Sequence, residues 1–172
     1  MSFGATRVGI AGCVRSRFLA IYLNDHLAGA TVGVELARRA AKENEGSELG
    51  IFLRGLLAEL EEDRATLRRL MEMLAVRRSK PKTAAAWAAE KLGRLKLNGQ
   101  IRGYSPLSRL LELEGLATGV EGKRALWLAL AQLGDGDRRL RDFDVEALAQ
   151  RAHSQRERLE PYRLAASGRA LG

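Results

Sequence analysis

Leu53, Leu56, Leu60, Leu67, Leu70 and Leu74 recur at alternating three- and four-residue steps. That spacing lays a single apolar stripe along a helix. One position in the row is not apolar, and it holds Asp63. The same period, with its punctuation, divides the chain into five helical segments. The first runs from about residue 14 to 42 and is broken by Asn44-Glu45-Gly46. Ser47 is the expected N-cap of the second, which reaches about Val76. A shorter helix is expected over 83–97, ending at Asn98-Gly99. Ser105-Pro106 opens the next with a serine cap and proline at the first helical position. That segment stops at Gly134-Asp135-Gly136-Asp137, and Asp142 or Asp144 caps the last, which reaches about residue 167.

Four of these helices are long, and each carries one apolar face, so they are predicted to bury those faces against one another. Short links join the first pair and the last pair, and a long link joins the pairs. The expectation is an all-α four-helix bundle of two antiparallel hairpins, with a crossover over 77–105. Residues 1–13 read as a flexible leader, 14–167 as the bundle and 168–172 as a tail. Ile10-Ala11-Gly12-Cys13 resembles a lipoprotein cleavage motif, but the apolar stretch before it is too short for a signal sequence.

Each bundle helix is expected to place polar groups inside: His26 on the first, Asp63 on the second, Glu114 with Glu121 on the third, Gln155 on the fourth. The other inward positions include Leu19, Tyr22, Leu23, Ala30 and Gly33 on the first helix. On the third they are Leu107, Leu110, Leu111, Ala117, Val120 and Leu128. Buried carboxylates need partners. Two readings satisfy them: a structural polar layer, with Arg64, His26 and Gln155 as donors to Asp63, or a shared metal ion.

The stretches YLNDHLAGATVGVELARR, LLAELEEDRATLRRLM and SPLSRLLELEGLATGVEGKRALW resemble the ferritin-like superfamily, in particular its small bacterial members. The resemblance covers about residues 15–167. It implies a ferritin-like bundle and, in metal-dependent relatives, one Glu on each of two helices with Glu-x-x-His on the other two. The second helix here offers Glu59 and Glu62-Asp63 with no histidine, and the fourth offers Gln150-Arg151-Ala152-His153. The expectation is therefore a non-catalytic binding or scaffolding module with no cofactor. The alternative is an iron- or manganese-binding redox or storage protein using His26, Asp63, Glu114 and Glu121.

The chain has 172 residues and a net charge of +8. Residues 64–102 hold eleven Lys or Arg against two acids, while the charges of the remainder nearly cancel. Lys80, Lys82, Trp87, Lys91, Arg94 and Lys96 are candidates for a weak, salt-sensitive polyanion surface, toward nucleic acid or an acidic membrane. The single cysteine fits a reducing, cytoplasmic compartment, and no apolar run is long enough to span a bilayer. A homodimer is a further expectation.

Overall fold

The computed structural model describes residues 6–78, 104–133 and 138–172. It is all-helical, with no strand among the described residues: α1 Thr6–Glu43, α2 Glu48–Met73, α3 Pro106–Ala131 and α4 Val145–Leu171, with a 3₁₀ turn at Arg138–Leu140. The expected short helix over 83–97 lies outside the described residues, as do all six polyanion candidates. Two boundaries differ from expectation. Helix α1 begins at Thr6 rather than near 14, because the glycines of the leader do not interrupt it. Helix α4 runs on to Leu171, so the expected tail is helical.

The punctuation behaves as the sequence indicates. Ser47 accepts a hydrogen bond from the Gly50 N–H, Ser105 from Ser108 and Asp144 from Ala147, each capping its helix. Helix α2 ends by a different device. Its Val76 N–H donates to Met71 O and its Ala75 N–H to Glu72 O, a Schellman pair with Ala75 in the left-handed region at φ 54°. Glycine takes that conformation without the Cβ penalty. Ala75→Gly should raise the unfolding free energy by about 1 kcal/mol, read as a shift in denaturant midpoint at constant slope.

Helix α1 packs on α2 and α3, and α4 on α3 and α2, giving the cyclic order α1–α2–α4–α3. The α1–α3 pair is antiparallel: Arg39 meets Glu112, and Leu36 lies over Gly115, where an added Cβ would come within 3.0 Å. The α2–α4 pair is antiparallel too, with Arg158 against Glu59 and Phe52 stacked on Tyr162 at 4.6 Å. Arg77 accepts from Asn24 near one end, whereas Tyr104 meets Asn44 at the other. The link between them therefore joins opposite ends of the bundle.

All six leucines of the α2 stripe are buried. At about 1.5–3 kcal/mol for each large apolar side chain, that row is a main source of stability. On α3 the expected face is rotated. Leu110, Ala117 and Val120 are buried as predicted, but Leu128 is 43% exposed and Leu107 and Leu111 are only partly covered. Leu113, Leu116, Leu126, Trp127 and Leu130 take the inside instead. Helix α3 is apolar nearly all round, so periodicity alone does not choose its face; contact with both α1 and α4 does.

Candidate functional site: a buried ion-pair layer beside an open cavity

Asp63 is 3% exposed, in the middle of the α2 leucine row. The Lys123 ammonium, arriving from α3, donates to Asp63 Oδ2 and also to Gln155 Oε1. Gln155, fully buried on α4, donates through Nε2 to Asp63 Oδ2 at 3.1 Å and to Glu59 Oε2 at 2.9 Å. Arg151 lies 3.4 Å from Asp63 Oδ1 and 2.6 Å from Glu62. Arg158 lies 2.6 Å from Glu59. Three cations thus face three carboxylates across α2, α3 and α4, with one amide linking them.

The titration behaviour follows from this geometry. Burial pushes Lys123 below the usual lysine value, against the pull of the Asp63 carboxylate. Burial pushes Glu59 up, but its hydrogen bonds from Arg158 and Gln155 prevail and hold it below the usual carboxylate range. The hydrogen bond to Glu62 raises Arg151.

The predicted polar residues do not all converge. Gln155 is a partner of Asp63, as expected, but the other donors are Lys123 and Arg151 rather than His26 and Arg64. Glu121 is exposed and pairs with Arg124 on its own helix. Glu114 is half-exposed, 3.6 Å from Arg163. His26 stands apart from the layer, with its ring edge-on to Tyr22 at 4.5 Å, and burial lowers its pKa. Helix rotation explains the two glutamates: turning α3 to bury Leu113 and Leu116 carries Glu114 and Glu121 outward.

A second buried acid escaped the sequence reading. Glu112 is fully buried near the α1–α2 hairpin. It accepts from the Tyr104 hydroxyl at 2.7 Å, which in turn accepts from Asn44 Nδ2 at 3.0 Å. The Arg39 guanidinium lies 2.5 Å from its other oxygen. Burial pushes the Glu112 carboxyl above its ordinary range, and burial together with the Glu112 bond raises the Tyr104 phenol. The only hint in the sequence was the pair Glu112 and Glu114 in LELEG, one of which had to face inward.

These donor sets do not fit the di-metal centre that the family resemblance implies. The position between Asp63 and Gln155 is filled by an ammonium, and each nearby carboxylate is engaged by a cation. No group of three or more His, Cys, Asp or Glu among the described residues is placed to hold a metal ion. Beside the layer, a cavity of about 970 Å³ opens between α1 and α3 and reaches the inner face of α2.

Fold and layer together define the class: an all-α four-helix bundle with a charge-balanced polar layer in its core. A scan against protein-family models, a search of curated proteins and a search of solved structures each found no match to this chain.

Proposed function

We propose that this protein is a non-catalytic bundle of the ferritin-like type, a binding or scaffolding module whose structural polar layer stands where metal-dependent relatives carry a di-metal centre. The observation that supports this reading is the Lys123 ammonium seated between Asp63 and Gln155. A transition-metal centre needs open, preorganised imidazole and carboxylate ligands, and here the ligand positions are held by the chain's own cation. No described helix is long and apolar enough to cross a membrane. A cytoplasmic location, a homodimer and weak polyanion binding through the basic stretch of 80–96 complete the proposal. Phe18 and Ile21, exposed on α1, are apolar surface of the kind a dimer contact would cover.

The test is metal analysis of protein purified without chelator. Well below one equivalent of iron, manganese or zinc is expected, in wild type and in Asp63→Ala alike. One or two equivalents, lost in Asp63→Ala or Glu114→Ala, would overturn the proposal in favour of a redox or storage protein.

A further inference from the structure

Helices α1 and α3 run antiparallel, and below the Leu36–Gly115 contact a cavity opens between them, lined by residues from Tyr22 to Leu36 and from Leu111 to Trp127. The register set by Arg39–Glu112 and Leu36–Gly115 places Gly29 near the level of Gly122, and Gly33 near that of Gly119. Glycines facing across a helix pair usually let the backbones approach. These do not: a Cβ built on Gly29, Gly33, Gly119 or Gly122 meets no heavy atom of the described residues within 4 Å. The missing side chains leave space, and that space is the cavity of about 970 Å³. Its volume lies at the upper end of the range of small-molecule sites. From Tyr22 to Leu36 it extends about 21 Å along the bundle at 1.5 Å per residue.

Its chemistry is graded along that axis. Leu36, Leu60 and Leu111 line the end toward the α1–α2 hairpin, and Tyr22, His26 and Trp127 line the other. Two polar groups on its wall lack partners among the described residues. The indole N–H of Trp127, a residue 1% exposed, has no acceptor. The Arg64 guanidinium, partly buried, makes no ion pair among the described residues, whereas the neighbouring Lys123 is taken up by Asp63. An unsatisfied buried donor is costly. Arg64, on the α2 wall one turn from Leu60, is partly buried, whereas the lining acid Asp25 is exposed to solvent, so the covered part of the wall favours negative charge.

We infer that this cavity is a binding site for a monoanionic amphiphile, with an acyl-like tail along its leucine lining and a carboxylate-class head drawn to Arg64 and the Trp127 N–H. The inference deepens the binding-module reading by naming a ligand class, and it rests on that reading. The two fail separately, because metal content decides the first and ligand titration the second.

The test is a fluorescence titration of the full chain with cis-parinarate, competed by laurate and by 1-dodecanol. Saturable binding is expected, with laurate displacing the probe at least tenfold more effectively than the alcohol. Gly33→Leu and Gly119→Leu should each weaken binding at least tenfold by filling the space. Their melting temperatures should hold or rise by roughly 2–4 °C, since leucine is the better helix former. Gly55→Leu, on α2 away from the cavity, should leave binding unchanged. Arg64→Gln should remove the preference for laurate over dodecanol. Three results would each overturn the inference: no saturable parinarate signal, affinity unchanged in the folded leucine variants, or equal competition by acid and alcohol in wild type.

Discussion

Replacing Lys123 by methionine should destabilise the bundle by about 3–5 kcal/mol, the cost of leaving a buried charge without its partner. Methionine keeps most of the lysine stem, so the loss is electrostatic rather than a cavity. Asp63 stays 3% exposed and would keep Gln155 and, at 3.4 Å, Arg151, which places the expected cost toward the lower end. Asp63→Leu alone continues the leucine row but strands the ammonium against Gln155, and it should be destabilising for the same reason. The double variant should recover most of either loss, giving a coupling of roughly 2–3 kcal/mol in a double-mutant cycle of urea unfolding. The corresponding cycle between Asp63 and His26 should show none, since the two side chains are not partners.

Alkaline titration offers an independent reading. With the folded pKa of Lys123 below its unfolded value, the unfolded chain binds the proton more tightly in the window between them. Stability contributed by this group therefore rises with pH through that window, and the rise should vanish in Lys123→Met. A single-variant loss under 1 kcal/mol would mean that the layer contributes little to the core.

The sequence made Asp63 legible because it interrupts an otherwise perfect row. A carboxylate flanked by Leu60 and Leu67 on one helical face has no solvent to turn to. Its partner was not legible. Lys123 sits in GVEGKRALW, where α3 is apolar on nearly every side, so periodicity assigns it no face. Its long stem carries the charge across the core from a boundary position, as lysine stems do. Glu112 was missed for the same reason, since either glutamate of LELEG could have been the inward one. The helix caps were readable because a cap is local chemistry, settled within four residues. The cavity was not, because a glycine in a sequence does not say whether a neighbouring helix fills the place of its missing side chain or leaves it open. Gly115, tight against Leu36, and Gly119, open, are four residues apart on one helix.

Gly50 shows the opposite case, in which the missing Cβ is required. Gly50→Ala should destabilise the protein by about 2–4 kcal/mol, far more than the change of glycine to a better helix former would return. A Cβ on Gly50 would stand 2.1 Å from the carbonyl oxygen of Asn44 and 2.8 Å from its carbonyl carbon. Both are backbone atoms, so no side-chain rotation relieves the overlap, and the α1–α2 hairpin itself has to move. That carbonyl also accepts from the Ser47 N–H and hydroxyl, at 3.2 and 2.7 Å, which fixes the loop leading into the α2 cap. The displacement cannot stay local, because the Asn44 side chain donates to Ala40 O and to the Tyr104 hydroxyl, and Tyr104 donates to the fully buried Glu112. Shifting Asn44 loosens the hydrogen bonds around a carboxylate that burial already disfavours in its charged form. The loss should therefore shrink in Gly50→Ala/Glu112→Gln, where the carboxylate is replaced by a neutral amide, and urea unfolding of the four proteins of this cycle measures it. Near-additive losses would confine the effect of Gly50 to the hairpin and detach it from the Asn44–Tyr104–Glu112 chain.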